Sequence, residues 1–206
     1  MGMRFACLSG ALLLTACQLL HADVITIDFE GLTEGTPLDN QFAGLTFANG
    51  IILTAQSAGG SLNDADYPPH SGNNVALDAG GPITIEFSPL ITSFEAFFDY
   101  SVPVTVTAFD SMGNPLGSST SLFSMNFVSS GNPSNELISV SSAGGISKVT
   151  LEGDPGGSSF VVDDITFTTL VPSGTVPEPS SLILLSTVVL GALALLRGTN
   201  ERRRAG

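Results

Sequence analysis

The chain is poor in residues on which many binding sites and scaffolds depend. Its 206 residues include no tryptophan, two tyrosines, two histidines and two cysteines. Both cysteines, Cys7 and Cys17, lie in a stretch that reads as a leader, so a conventionally cleaved product carries none. Disulfide bonds and cysteine-bound zinc are thereby excluded for that product. Its fold must be held by packing, with or without a metal ion.

Positive charge is also scarce. Between residues 23 and 176 there are 17 aspartates and glutamates and a single cation, Lys148. Such a surface repels phosphate backbones, because nucleic-acid binding depends on Lys and Arg. We therefore expect no nucleic-acid partner. The acidic balance suits a solvated surface outside the cell and favours divalent cations.

Residues 1–22 have the pattern of a secretory signal peptide. Arg4 precedes an apolar run over residues 5–20, and a small residue, Ala22, follows. We therefore place the mature start at Asp23 and expect export. The alternative is a lipoprotein leader, because Leu14-Thr15-Ala16-Cys17 resembles a lipobox, in which the cysteine is lipidated.

A second apolar run lies near the carboxyl terminus. Residues 182–196 rise only about 22 Å as a helix, against a hydrocarbon core of about 30 Å. Extending the helix to 181–197 and letting Arg197 snorkel makes a transmembrane span feasible. The positive-inside rule then predicts a cytoplasmic end and a domain outside. The flanking basic residues are Arg197, Arg202, Arg203 and Arg204.

A Pro-Glu-Pro triplet, Pro177, Glu178 and Pro179, precedes this run. Its prolines keep the triplet extended and accessible, and residues 169–176 have the composition of a linker. Triplet, hydrophobic helix and terminal arginines together resemble the PEP-CTERM sorting signal (177–206) of Gram-negative bacteria that make extracellular polysaccharide. The resemblance implies an exosortase-type processing enzyme as partner. It also implies anchoring in the inner membrane and then transfer to the cell surface or extracellular matrix.

Residues 23–168 alternate apolar and polar residues in short runs that end in Gly, Pro, Asn and Ser clusters. This pattern predicts an all-β domain, a two-sheet antiparallel β-sandwich of jelly-roll-like form. The strand predicted at 92–100 carries Phe94, Ala96, Phe98 and Tyr100 on one face, and the strand predicted at 102–109 does the same with Val102, Val104, Val106 and Ala108. Further strands are predicted at 24–30, 51–55, 75–78, 82–87, 122–128, 136–140, 146–151 and 159–168.

This domain is similar to the β-sandwich modules often found ahead of the sorting signal. It also resembles jelly-roll modules that include MAM-type and carbohydrate-binding domains. The similarity rests on residues 104–110, 146–151 and 161–165. It implies that the first and last strands lie side by side and that acidic residues on them hold a structural calcium ion. The corresponding residues here are Glu30, Asp163 and Asp164.

One of these acids, Asp163, lies at a position where its charge is unfavourable. Alternation places Asp163 on the face of Val161, Ile165 and Phe167, where a hydrophobic residue is expected. An ionised carboxylate there needs a partner. Calcium, which takes several oxygen ligands, is one solution, and backbone hydrogen bonds at a strand edge are the other. Weaker candidate ligands are Asp28, Asp78 and the loop pair Asp64 and Asp66.

Little in the mature chain suggests catalysis. His70 and Ser71 are neighbours in one turn, a geometry that catalytic triads rarely use, and zinc hydrolysis usually needs more than one histidine. We therefore expect a noncatalytic protein of the cell surface or extracellular matrix, with a hydrolase as the least favoured class. The alternative is a lectin-like module that binds extracellular polysaccharide through a loop containing Asp66, Tyr67 and His70.

Overall fold

A computed structural model describes residues 22–170 of the chain. The leader up to residue 21, the triplet Pro177-Glu178-Pro179, the apolar run and the terminal arginines lie outside the described residues. Within residues 22–170, no helix is long and apolar enough to cross a membrane. The regular structure described here consists of antiparallel β-strands and two short 3-10 helices. The all-β prediction is confirmed for this part of the chain.

The strands follow one another with short connections, apart from two longer loops after β4 and β8. Their bounds are β1 Val24–Ile27, β2 Pro37–Leu38, β3 Leu45–Ala48, β4 Gly50–Thr54, β5 Asn74–Asp78, β6 Ile83–Tyr100, β7 Thr105–Phe109, β8 Pro115–Thr120, β9 Glu136–Glu152 and β10 Phe160–Thr169. The 3-10 helices are Gln56–Ala58 and Val128–Ser130.

Two long strands, β6 and β9, belong to both layers of a sandwich-like fold. The first part of β6 pairs with β3 and the end of β9, whereas its second part pairs with β10 and the start of β9. The register shifts between Glu86 and Ile91, where β6 passes from one layer to the other. Segments 82–87 and 92–100, predicted as separate strands, are therefore two parts of β6. Likewise, 136–140 and 146–151 both belong to β9.

The first layer contains β3, β7 and β8 with the first part of β6 and the end of β9. The second layer contains β1, β2, β4, β5 and β10 with the second part of β6 and the start of β9. In this layer β10 changes partner along its length. It pairs with β5 near Val161 and with β1 from Ile165 onward. The first and last strands therefore lie side by side, as the resemblance implies.

The core lies between the layers. Phe87 of the first layer contacts Phe94 and Phe167 of the second, with ring centroids 6.3 and 5.3 Å apart. Fully burying one such side chain stabilises the fold by about 1.5–3 kcal/mol. The alternation predicted for β6 and β7 is confirmed, except that Val102 is only half-buried. The buried residues of the two patterns are Phe94, Ala96, Phe98, Tyr100, Val104, Val106 and Ala108.

The strand predicted at 122–128 is wrong. In this segment the side chain of Asn126 replaces a strand ladder, because its Oδ1 accepts from the backbone N of Tyr100 at 2.7 Å and its Nδ2 donates to the backbone O of Phe98 at 2.7 Å. Asn126 is fully buried. A single side chain thus satisfies the backbone hydrogen-bonding groups of Phe98 and Tyr100 in β6. The segment then continues into the 3-10 helix Val128–Ser130.

Candidate functional site

The face of the second layer that points away from the core is called here the outer face. Part of it lies beneath residues 55–73, the covering loop, which connects β4 to β5. Leu62 and Tyr67 of this loop pack with Val75 and Val161 of the outer face. The rest of the outer face, on β1, β6, β9 and the end of β10, carries mostly polar side chains.

A β-bulge in β10 brings two carboxylates to the edge of the covering loop. Asp163 pairs with Phe97, but the next pair along the ladder joins Thr166 to Glu95, so β10 has one extra residue. Asp164 takes up this residue with φ of 47°, a left-handed conformation that aspartate tolerates better than most residues.

The bulge changes which residues share a face with Asp163. Asp163 stays on the outer face with Val161, as alternation predicts, whereas Ile165 and Phe167 point into the core. The prediction that all four share a face is therefore wrong. An inserted residue exchanges the two faces of every position that follows it.

Both carboxylate oxygens of Asp163 bind backbone amides. Oδ2 accepts from the N of Ser71 at 2.9 Å, and Oδ1 accepts from the N of Asp164 at 2.7 Å. The side chain is only 2% exposed, and its burial raises the pKa of Asp163 to about 6. These contacts are the hydrogen-bonded alternative to calcium, and they fasten the covering loop to β10.

Asp164 makes a second connection to the same loop. Its Oδ2 lies 2.6 Å from Nδ1 of His70, and its Oδ1 accepts from Oγ of Ser71 at 2.8 Å. The ring of His70 lies flat on Phe97, with centroids 3.4 Å apart and planes 7° apart. Residues predicted for two separate sites, His70 for a ligand loop and Asp164 for metal, are thus brought together.

The third predicted calcium ligand, Glu30, lies just after β1 and also holds the covering loop. Its Oε1 accepts from the backbone N of Asn73 and of Asn74, both at 2.7 Å. Among residues 22–170 there is no group of three or more His, Cys, Asp or Glu side chains that are placed to hold a metal ion. Calcium binding by Glu30, Asp163 and Asp164 stays a prediction.

Asp66 and Tyr67 attach the covering loop to the segment after β8 instead. Oδ1 of Asp66 accepts from the N of Ser129 at 3.1 Å, and hydrogen bonds from Ser129 hold the pKa of Asp66 below its usual value. Tyr67 packs against Phe127, with centroids 5.4 Å apart. Of the three predicted ligand-loop residues, only His70 has a substantially exposed side chain on the outer face, at 37%.

A buried acid that sequence analysis missed, Asp99, lies on the outer face of β6. Its Oδ1 accepts from the N of Asn135 at 2.6 Å, while its Oδ2 is buried without a hydrogen-bond partner among the described residues. Burial raises the pKa of Asp99 to about 6. Asn135 in turn donates to the carbonyl of Pro68 in the covering loop. Alternation along β6 predicts that Asp99 is exposed. It is buried because residues distant in the sequence pack over it, and alternation does not reveal them.

The serine and histidine of the covering loop lack the arrangement of a nucleophile and its base. Ser71 donates its hydroxyl proton to Asp164, the acid that also binds His70. In a catalytic triad the histidine itself would accept that proton. The geometry therefore positions the loop and provides no activated nucleophile at Ser71.

Beyond the covering loop, four polar side chains form a straight row across four strands, called here the polar row. Thr26 pairs with Thr166, Thr166 with Glu95, and Glu95 with Ser139. The hydroxyls of Thr26 and Thr166 lie 2.8 Å apart. At a strand spacing of about 4.8 Å the row extends roughly 14 Å. Next to it, Phe97 pairs with Leu137, which is 49% exposed.

No family model matches the chain, and no curated protein matches it. Among solved structures it is similar to the K2 cleaved adhesin domain of Lys-gingipain, with 13% identity, a TM-score of 0.45, and coverage of 71% of this chain and 100% of that chain. It is also similar to a variant of the family 29 carbohydrate-binding module CBM29-2, with 10% identity, a TM-score of 0.40, and coverage of 73% of this chain and 94% of that chain. For the CBM22-1 xylan-binding domain of Paenibacillus barcinonensis Xyn10C, the identity is 12% and the TM-score 0.38, with coverage of 74% of this chain and 97% of that chain.

Proposed function

We propose that residues 23–168 form a noncatalytic carbohydrate-binding domain of an exported protein, and that polysaccharide binds along the polar row. The observation that carries this proposal is the row itself, with an aromatic and apolar patch beside it. The proposed fold is jelly-roll-like, with the outer face as the binding surface.

The polar row has the chemistry that sugar hydroxyls require. Ser139 offers one donor and two acceptor lone pairs, and the carboxylate of Glu95 can accept from two hydroxyls. The hydroxyls of Thr26 and Thr166 hydrogen-bond to each other and keep lone pairs that accept from a sugar. Hydrogen bonds to a charged acceptor are the stronger kind. Thr26, Glu95 and Ser139 are exposed, so a ligand reaches them without moving the backbone.

The patch next to the row supplies apolar contact. His70 lies flat on Phe97, and Leu137 stands across from Phe97 on β9. A pyranose ring has apolar faces made of C–H groups, and these pack well on aromatic and aliphatic side chains. A polar row with one apolar end therefore suits an extended sugar chain.

Charge selects the kind of polysaccharide. The domain carries 17 acids against Lys148, and Glu95 lies in the middle of the row. An anionic polymer is repelled by this surface. The proposed ligand is therefore a neutral polysaccharide.

The test measures binding of the mature chain, purified from its host, to neutral polysaccharides and to an anionic one by calorimetry. Thr166→Val removes one hydroxyl at nearly constant shape and is expected to weaken binding about 2–10-fold, the value of one hydrogen bond. Phe97→Ala is expected to weaken it further. The matched control is Thr120→Val, which breaks a similar hydroxyl pair, with Thr105 at 3.0 Å, in the first layer. Equal losses from both threonine variants, or no binding at all, would contradict the proposal.

We propose in addition that Pro177-Glu178-Pro179 directs an exosortase-type enzyme to the chain, and that the protein reaches the cell surface or matrix. The support is the order of leader, triplet, apolar run and terminal arginines. Mass spectrometry of both termini in the native host tests this. We expect a start at Asp23 and processing near the triplet, which Glu178→Ala abolishes. An uncut chain recovered from the cytosol would contradict it.

A further inference from the structure

A pocket of about 240 Å³ lies between the covering loop and the outer face, on the side of the loop away from the polar row. We infer that it holds a single neutral sugar residue that carries an apolar substituent, such as the methyl group of a 6-deoxyhexose or the acetyl group of an N-acetylhexosamine. This inference rests on the proposed function and names the sugar class that the domain selects.

The floor of the pocket is aliphatic. Leu53 of β4, Leu77 of β5 and Val161 of β10 line it from three neighbouring strands. Leu77 is directly paired with Val161, and both belong to the small cluster beneath the covering loop. Leu62 and Tyr67 of the loop form the opposite wall. A methyl or acetyl group in contact with this floor loses apolar surface to water, which favours binding.

The rim of the pocket is polar and uncharged. The hydroxyl of Ser61 donates to Glu34, and that of Ser101 donates to the carbonyl of Ser159 at 3.1 Å. Because these protons are already engaged, the lone pairs of both hydroxyls remain as acceptors for sugar hydroxyls. None of the residues that line the pocket is charged, although the domain is strongly acidic. A neutral ligand therefore matches the lining.

Size limits the ligand to one ring. Sites for drug-sized ligands enclose about 300–1,000 Å³, and this pocket is smaller. It therefore fits one residue of a chain, or its end, and leaves neighbouring residues to the outer surface.

Hydrogen bonds within the protein hold the loop wall of the pocket in place. The covering loop is tied to β4 by a hydrogen bond from the N of Leu62 to the O of Thr54 at 2.9 Å, and a bond from the N of Gln56 to the O of Leu62 at 2.9 Å closes the loop on itself. Glu34 holds both Thr54 N and Ser61. A preformed wall avoids the entropic cost of ordering a loop on binding.

The experiment titrates the mature chain with methyl glycosides of N-acetylglucosamine, a 6-deoxyhexose, glucose and glucuronic acid, followed by NMR. We expect the first two to bind at least 5-fold more tightly than glucose, and glucuronic acid to bind least. Leu77→Phe fills the floor and is expected to reduce the preferred affinity at least 10-fold. If that variant fails to fold, Tyr67→Ala, which removes the wall, is expected to do the same. Thr120→Val, in the first layer and outside both the pocket and the polar row, is the control and should leave glycoside binding unchanged.

Equal affinity for all four glycosides, or an unchanged affinity in the folded pocket variant, would overturn the inference. The polysaccharide assay distinguishes its failure from that of the proposed function. If polysaccharide binding depends on Thr166 but the protein shows no preference among the glycosides, the pocket inference is wrong and the proposed function stands. The expected glycoside preference, together with polysaccharide binding that Thr166→Val leaves unchanged, would contradict the polar row and support the pocket.

Discussion

The two faces of strand β6 illustrate two different kinds of information in one stretch of sequence. Phe98 points into the core, is fully buried and packs on Phe160 with centroids 6.0 Å apart. Its neighbour Phe97 points outward, is half-buried and lies under His70. Alternation determines the first environment, whereas the second depends on a loop that comes from another part of the chain. Chemically identical side chains therefore have different physical roles.

The largest expected loss of stability comes from a substitution on the inner face of β6. Phe98→Ala should lower the free energy of unfolding by about 3–5 kcal/mol, because it leaves a cavity in a packed core. Phe97→Ala should cost about 1 kcal/mol, since it removes a partly exposed ring and its stacking on His70. Urea denaturation measures both. Equal losses at the two positions would show that the outer face is as tightly packed as the core.

The inner face could be predicted from the sequence because the period of two is set by backbone geometry. The outer face could not, and Asp163 shows why. In Val161-Val162-Asp163-Asp164-Ile165 the polar pair is compatible with either register, and only the bulge at Asp164 decides it. Asp99 shows a second limit, since its cover comes from residues around Pro68 and Asn135. Asn126 shows a third, because a side chain can take the place of a strand.

The next prediction concerns how the outer face holds its loop. Asp163→Ala leaves the amides of Ser71 and Asp164 without their acceptor. Unfolding free energy should fall by about 1–3 kcal/mol, and the amide of Ser71 should exchange faster with deuterium. Asp28→Ala is the control, because Asp28 is exposed and, within residues 22–170, its side chain accepts a hydrogen bond only from the N of Glu30, at 3.1 Å. If Ser71 kept its protection, the covering loop would be held elsewhere.

A pH series sharpens the contrast between buried and exposed acids. The pKa of Asp99 is about 6 in the folded protein and near 3.8 in the absence of burial. Between these values the folded state binds more protons than the unfolded state, so stability falls as pH rises through about 6. Asp99→Asn removes this buried charge. The variant should be more stable than the parent by about 1–2 kcal/mol at pH 7.5, allowing for screening.

The advantage of Asp99→Asn should shrink as pH falls towards 4, where Asp99 of the parent is neutral. Part of the slope remains, because burial also raises the pKa of Asp163. Asp110 provides an opposite control. Hydrogen bonds from Asn114 lower the pKa of Asp110, so its contribution is present at neutral pH and is lost on acidification. A stabilisation by Asp99→Asn that did not vary with pH would show that Asp99 is not the titrating group.

The smallest expected losses of stability come from substitutions of His70, which distinguish its contact with Asp164 from its contact with Phe97. His70 binds Asp164 through Nδ1 and stacks on Phe97, yet its side chain is 37% exposed. His70→Phe keeps an aromatic ring over Phe97 and loses the hydrogen bond, whereas His70→Ala loses both contacts. We expect losses of about 0.5 kcal/mol for the first and about 1 kcal/mol for the second, because exposed contacts exchange with water.

The same pair of variants in an Asp164→Ala background completes a double-mutant cycle. If stacking dominates, His70→Phe retains stability and polysaccharide binding, and the aromatic surface of the outer face matters more than its link to the bulge. If His70→Phe is as damaging as His70→Ala, the hydrogen bond to Asp164 is what places the covering loop.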